Sequence, residues 1–119
     1  MLIRADICAY AKDKYQTRPE QPWPQRYPDW LVLRHRANGK WYAVLMNIPR
    51  HKAGLKGEGK IDILNLKVDA GLKMLLAGTK GVLPAYHMNK EHWLSLVLDG
   101  SVADKDIIHL LDKSYSLTR

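Results

Sequence analysis

The twenty residues from 29 to 48, DWLVLRHRANGKWYAVLMNI, contain the pattern that decides the fold. Two runs rich in branched and aromatic side chains flank Asn38-Gly39, a pair that favours positive φ angles in a tight turn. The pattern therefore predicts a β-hairpin. In the second run, apolar side chains occupy both alternating sets of positions from Trp41 to Met46, so this strand is predicted to be central in a sheet.

Regular elements are predicted on both sides of the hairpin. Residues 2–15 have apolar side chains at helical spacing, and the proline-rich residues 16–29 then predict a surface linker. Downstream, the sequence predicts a loop over 49–60, a strand over 60–68, a short helix over 69–78, a strand over 92–99 and an amphipathic helix from Ser101. Asp69 is the predicted N-cap of the short helix, and Ser101 with Asp104 that of the last. This order indicates an α+β fold in which helices cover an antiparallel sheet.

Length and composition indicate the class of protein. With 119 residues, 46% of them hydrophobic, the chain is predicted to form a single domain, residues 1–119, with its own core. Cys8 has no partner, which favours a reducing compartment and excludes a disulfide framework or a cysteine-based zinc site. No apolar run approaches the ~20 residues that cross a bilayer, and the N-terminus lacks the pattern of a secretory signal. We therefore expect a cytoplasmic protein without a membrane contact.

Motifs for catalysis or metal binding are weak. Residues 54–60, GLKGEGK, match the letters of a phosphate-binding loop, but Ile61 follows where Ser or Thr would ligate magnesium, and a strand follows where a helix is needed. His87 and His92 are five apart, whereas a helical zinc pair needs a spacing of four. The chain has neither a nucleophile elbow nor a carboxylate pair at a spacing typical of acid and base catalysis. The sequence therefore predicts no enzyme, no metal and no cofactor.

Positive charge is concentrated in one segment. The formal net charge is +7, and the segment from Arg34 to Lys60 contains a single acid, Glu58. Its seven basic residues are Arg34, Arg36, Lys40, Arg50, Lys52, Lys56 and Lys60. Such side chains neutralise phosphates, and interleaved aromatic rings stack on bases if they are exposed. The alternative is that the charges only solubilise a loop and the aromatic rings belong to the core.

Three further stretches resemble a known family. LNLKVDAGL (64–72), LPAYHMNKEHWLSLVLDGSV (83–102) and DKDIIHLLDKSYSLT (104–118) are similar to blocks of the MmcQ/YjbR family, and the match extends from about residue 30 to 118. The positions that carry the resemblance are Lys67, Pro84, His87, Asn89, Lys90, Trp93, Ser114 and Tyr115. The resemblance implies a two-layer sandwich like the bacterial frataxin CyaY, with helices packed on one face of an antiparallel sheet. It also implies the "double wing" DNA-binding description given to this family, with no settled catalytic role.

The leading hypothesis is a non-enzymatic DNA-binding module, monomeric by default, whose seven basic residues form one accessible patch for phosphates. Base specificity is not predicted. An alternative is a pocket for a small anionic ligand or peptide around Lys67, His87, Asn89 and Lys90, since these polar identities recur in the family. Frataxin-like iron binding is disfavoured, because the first helix has only Asp6 and Asp13 among basic residues. The turn at 87–92 is otherwise expected only to lead into a strand, with Asn89 bonded to the backbone locally.

Overall fold

The computed structural model describes all residues, 1–119, and contains one five-stranded sheet and three α-helices. The elements are α1 (Arg4–Tyr15), β1 (Leu31–Arg34), β2 (Trp41–Pro49), β3 (Lys60–Lys67), α2 (Ala70–Leu76), β4 (Val82–Pro84), β5 (Trp93–Val97) and α3 (Asp104–Leu117). The strand order is β1-β2-β3-β5-β4, and every neighbouring pair is antiparallel. This confirms the predicted α+β class. None of the helices combines the length and the apolar character that crossing a membrane requires.

The helices pack on one face of the sheet. Alternate residues of the central strands, such as Leu45, Leu64 and Leu96, are fully buried there against Ile7 of α1 and Leu111 of α3. Alternation of this kind is what the period-2 geometry of a strand requires when one face meets a helical layer. The sheet and helix layers therefore enclose the larger of two cores.

The opposite face of the sheet is covered by loops. Met46, Ile48 and Ile63 form its buried centre, and the proline-rich segment lies against it. The Tyr27 and Trp30 rings stack with centroids 3.8 Å apart, and Trp30 is 8% exposed. The segment predicted as a surface linker therefore supplies the apolar cover that makes β2 central on both faces.

The first hairpin differs from the predicted two-residue turn. Gly39 has a positive φ of 73°, whereas Asn38 does not, and the backbone closes with a 2.9 Å hydrogen bond from His35 N–H to the carbonyl of Lys40. The Asn38 side chain forms two hydrogen bonds. Its oxygen accepts from Lys40 N–H at 2.8 Å, and its amide donates to the Thr118 carbonyl at 3.0 Å.

One strand was not predicted, and of the two predicted helix caps one is confirmed and one is wrong. The structure has a further edge strand, β4, which was not predicted because its three residues directly follow Gly81 and end with Pro84, both typical of breaks. The Asp69 cap of α2 is confirmed by a 2.8 Å hydrogen bond from Leu72 N–H to its carboxylate. The predicted Ser101 cap is wrong, because α3 begins at Asp104 without a side-chain cap.

Candidate nucleic-acid interface

The seven basic residues of the segment 34–60 do not form one patch. The nine residues of β2 lie between Lys40 and Arg50, and at about 3.3 Å per residue they separate these two positions by roughly 30 Å. Arg34, Arg36 and Lys40 lie at the hairpin end of the sheet, where β1 ends and β2 begins. Arg50, Lys52, Lys56 and Lys60 lie at the loop end, where β2 ends and β3 begins. The expectation of a single patch is therefore wrong.

The hairpin end contains an open polar cleft of about 640 Å³. Three arginines contribute to it, Arg34 and Arg36 from the hairpin and Arg18 from the segment that follows α1. The remaining lining residues are Gln16, Thr17, Glu20, His35 and Gly39. No hydrophobic side chain lines the cleft, and Glu20 is its only acid. Three guanidinium groups in such a cleft favour anions, and phosphate above all, because the planar fork of arginine matches phosphate oxygens.

The acid of this cleft is engaged by one arginine. Arg34 Nη2 donates to Glu20 Oε1 at 2.9 Å, and Arg34 Nε donates to the other carboxylate oxygen. Glu20 is itself held in place, because its backbone exchanges two 2.9 Å hydrogen bonds with Val32 at the outer edge of β1. The pair neutralises Arg34. Arg18, Arg36 and Lys40 are exposed and form no ion pair, so they remain available to an anion.

The aromatic residues of the segment are mostly in the core. Tyr42 is fully buried, and its hydroxyl donates to Thr17 Oγ1 at 2.6 Å. His35 is 6% exposed, and burial lowers its pKa. The His35 ring is held by its contact with the Thr118 hydroxyl and packs against Tyr42 and Tyr115, so it is not free to stack on a base. Trp41 is partly exposed and lines a second depression beside Arg34, so unlike Tyr42 and His35 it is not confined to the core.

At the loop end, the cations are distributed differently. Arg50 is half-buried, and its Nε donates to the Lys56 carbonyl at 2.9 Å, which fixes the loop's own conformation. Lys52, Lys56 and Lys60 are exposed without ion pairs, and Glu58 lies in the same loop. This end therefore presents lysines on a loop, without the arginine-lined concavity of the hairpin end.

The turn at 87–92 leads into β5 as predicted. Asn89 Oδ1 accepts from Glu91 N–H at 2.8 Å, and the Asn89 carbonyl accepts from Trp93 N–H at 3.0 Å. His87 has a positive φ of 54°, and its exposed ring lies 4.1 Å from that of Tyr86.

None of the five best-defined clefts is lined by more than one of the four residues of the alternative pocket. Lys67 Nζ lies 5.7 Å from the centroid of Trp93, and Lys90 lines a cleft beside Trp93 that lacks His87, Asn89 and Lys67. No hydrogen bond joins any two of the four. The structure also brings no three His, Cys, Asp or Glu side chains close enough to hold a metal ion.

Two buried polar residues hold this turn in place, and the sequence analysis missed both. Asn65 donates to the Tyr86 carbonyl at 3.0 Å, and Ser95 Oγ accepts from Tyr86 N–H at 3.0 Å and donates to Asn65 Oδ1. Both side chains are fully buried. The signal for them was a polar residue in each of two otherwise apolar strands, since a buried polar group is expected to have a partner.

Comparison with known proteins gives a family and no activity. A family model described as YjbR matches residues 12–117. The chain is 44% identical to the uncharacterised protein YyaQ of Bacillus subtilis over the whole of both chains, and 30% identical to the uncharacterised protein YjbR of Escherichia coli K12 over 73% of this chain and 66% of that one. A crystal structure of a Pseudomonas syringae protein, 44% identical, superposes with a TM-score of 0.94 over 99% of this chain and all of the other. A Deinococcus radiodurans protein, 25% identical, gives 0.71 over 95% and 75% of the two chains.

Proposed function

This chain belongs to the YjbR family, and we propose that it is a cytoplasmic, monomeric DNA-binding protein without catalytic activity that contacts phosphates at the hairpin end of its sheet. The matched relatives are uncharacterised, so the support comes from charge and shape. The observation that carries the proposal is the arginine-lined polar cleft with a single acid, which Arg34 already neutralises. The phosphate contacts are assigned to Arg18, Arg36 and Lys40.

The energetics follow from counterion release. Each phosphate neutralised by a cation releases condensed counterions, so the logarithm of the binding constant falls with the logarithm of salt concentration at a slope of about −0.9 per contact. Three contacts give a slope near −2.7, so affinity should fall roughly twentyfold between 50 and 150 mM salt. Contacts of this kind do not read base sequence. Binding is therefore expected to be of low sequence specificity.

The test is fluorescence anisotropy with labelled duplex and single-stranded DNA of random sequence at 50 mM salt. The triple variant Arg18→Ala, Arg36→Ala, Lys40→Ala is expected to bind at least tenfold more weakly than the unaltered protein. The triple variant Lys52→Ala, Lys56→Ala, Lys60→Ala removes the same net charge at the loop end, and we expect its affinity to change less than threefold.

The other possible outcomes would relocate the interface or reject it. Loss of binding in the loop-end variant alone would move the interface to the other end of the sheet. Equal losses in both variants would indicate attraction to net charge without a defined site. No binding to either DNA at 50 mM salt would reject a nucleic-acid function altogether.

A further inference from the structure

A second cleft lies at the opposite edge of the sheet, beside the edge strand β4. Its volume is about 270 Å³, and it lies between α2 and the start of β5. Leu83, Pro84 and Trp93 form part of its wall, and Lys73 from α2 and Lys90 from the turn lie at its border. Four strand spacings of about 4.8 Å separate β4 from β1, so this cleft is roughly 19 Å across the sheet from the arginine cleft.

Three lysines surround the tryptophan of this cleft, and none is paired. Lys67 Nζ lies 5.7 Å from the centroid of Trp93, within the range of a cation–π contact. Lys67, Lys73 and Lys90 take part in no ion pair, and no acid lines the cleft. An adjoining depression that shares Lys73 contains Asp69 and Glu91, and the Asp69 carboxylate is already engaged as the N-cap of α2. The cleft itself is therefore lined by two lysines and no acid, and Glu91 is the one acid of the adjoining depression that is not engaged as a cap.

The short helix α2 beside the cleft carries two highly exposed apolar side chains. Met74 and Leu75 are 80% and 78% exposed, the highest values among the large hydrophobic side chains of the chain. The helix is attached to the core only through half-buried Leu72 and Leu76. Met74 lines the depression that adjoins the cleft, so its exposed side chain lies beside the cleft, whereas Leu75 lines neither concavity. Met is well suited to binding surfaces, because its flexible thioether adapts to different partners.

We propose that this surface binds an acidic peptide segment carrying a large apolar side chain. The cleft is smaller than the roughly 300–1,000 Å³ typical of sites for drug-sized ligands, so it suits one or two apolar side chains of a peptide. Carboxylates flanking that side chain meet the three lysines, which supplies specificity and accelerates association. Met74, which lines the adjoining depression, extends the contact along the peptide.

Nucleic acid fits this surface less well than a peptide does. Trp93 is only 8% exposed, so too little of its ring is open for a base to stack on it. The charged groups are lysines on an apolar rim, without the guanidinium forks of the other cleft. The interface is therefore separate from the proposed DNA contact, and either can fail without the other.

The experiment is a titration followed by ¹H–¹⁵N correlation spectra of the labelled full chain. The probe is a twelve-residue peptide of glutamate and leucine in amphipathic helical order, and the control peptide has lysine in place of every glutamate. The acidic peptide is expected to shift the Trp93 indole signal and the amides of Lys73, Met74 and Lys90. The double variant Lys73→Glu, Lys90→Glu should bind it at least tenfold more weakly, whereas Lys105→Glu, Lys113→Glu on α3 makes the same charge change and should alter the Kd less than threefold.

Three results would overturn the proposal. The first is an absence of shifts at millimolar acidic peptide, or equal shifts with the lysine peptide. The second is duplex DNA shifting the same signals more strongly than the peptide, which would assign the surface to nucleic acid. The third is a dimer in sedimentation velocity that Met74→Ser abolishes, because the surface would then be occupied by a second copy of this chain.

Discussion

The imidazole Nε2 of His35 lies 2.6 Å from the Thr118 hydroxyl oxygen, and 83 positions separate the two residues in the chain. Asn38 reaches the same residue through its 3.0 Å hydrogen bond to the Thr118 carbonyl. Thr118 directly follows the last residue of α3, so the first hairpin and the last helix are fixed to each other at the hairpin end. These hydrogen bonds therefore join His35, which lines the arginine cleft, to the end of α3.

This pairing predicts a pH-dependent stability. Burial lowers the pKa of His35, and the charges of Arg119 and Lys40 lower it further, although a hydrogen bond to the Tyr115 backbone opposes them. The unfolded chain, with a His pKa near 6.5, then binds the proton more readily than the folded one. The contribution of His35 to the stability of the fold is complete above pH 6.5. It is lost as the pH falls from 6.5 through the lower pKa of His35 in the folded state.

Urea unfolding at pH 7.5 and pH 5 measures this effect. We expect a lower free energy of unfolding at pH 5, and a smaller difference between the two pH values in His35→Gln. His109→Gln is the matched control, because His109 is exposed on α3. If His35→Gln kept the full difference between pH 7.5 and pH 5, the pH dependence would have to come from other groups.

The hydrogen bonds of Asp112 predict a second loss of stability, at a more acidic pH. Its carboxylate accepts from Tyr10 at 2.9 Å, from Lys14 at 2.9 Å and from Tyr15, which joins α1 to α3. Burial acts to raise the pKa of Asp112, but hydrogen bonds from Tyr15, Lys14 and Tyr10 outweigh it, so the pKa is lowered from its usual 3.8. This stabilisation is complete above about pH 3.8 and is lost as the pH falls through the folded-state value.

Asp112→Ala should destabilise the protein by about 1.5–2 kcal/mol at pH 7, the lower part of the range for hydrogen bonds to a charged group, because the carboxylate is partly exposed. The measurement is urea unfolding at pH 7 and pH 3. The variant should lose less stability between these values than the unaltered protein. Asp13→Asn, an exposed acid of α1 without an ion pair, should behave like the unaltered protein at both.

The elements that sequence analysis predicted correctly are those whose signal is local. The hairpin around Gly39, the Asp69 cap and the period-2 alternation of β3 all depend on residues a few positions apart. β4 was missed because three residues are too few to show a period. Its pairing with β5 also depends on the turn between the two strands, which is held by Ser95 of β5. The Ser101 cap was wrong because a capping pattern places a helix start only to within a few residues.

The site was harder to predict than the fold. The density of charge along the sequence does not show how far apart Lys40 and Arg50 lie in the fold. The length of the strand between them, β2, does imply their separation. Arg18 was missed because it lies in a proline-rich segment without periodicity, and it joins Arg36 only when that segment pairs with β1 at Glu20. Lys73 lies in a helix that was predicted, but only the tertiary structure brings that helix beside Trp93.

The Asn65–Ser95 pair predicts a defect confined to one turn. Ser95→Ala would leave Tyr86 N–H and the Asn65 side-chain oxygen without this partner in a buried site, which costs roughly 1–3 kcal/mol. Hydrogen exchange of the Tyr86 amide is the direct measurement, and we expect it to accelerate more than the amide of Leu45 in the unaltered strand β2. Equal acceleration at both amides would indicate a global loss of stability instead. Ser116→Ala, an exposed serine in the last turn of α3, is the control and should alter neither rate.

Alanine variants at two glycines distinguish the cost of an unfavourable backbone conformation from the cost of steric overlap. Gly78 and Gly81 both have positive φ, 78° and 83°, which disfavours any residue with a Cβ. Around Gly78 a Cβ meets nothing within 4 Å, whereas at Gly81 it would lie 2.7 Å from Val102 Cγ2 and 2.8 Å from Ser101 Cβ. Gly78→Ala should therefore cost about 1–2 kcal/mol, the cost of the left-handed conformation alone.

Gly81→Ala should cost roughly 1–3 kcal/mol more than Gly78→Ala, as expected when a methyl group is forced into packed surroundings. The excess arises because the Gly81 carbonyl accepts from Val97 N–H at 2.8 Å, so the backbone cannot move away without giving up a hydrogen bond of the sheet. Urea unfolding of the two variants under the same conditions measures the difference. Equal losses would mean that the segment from Ser101 to Val102 yields freely, and that Gly81 is required for its backbone angle alone.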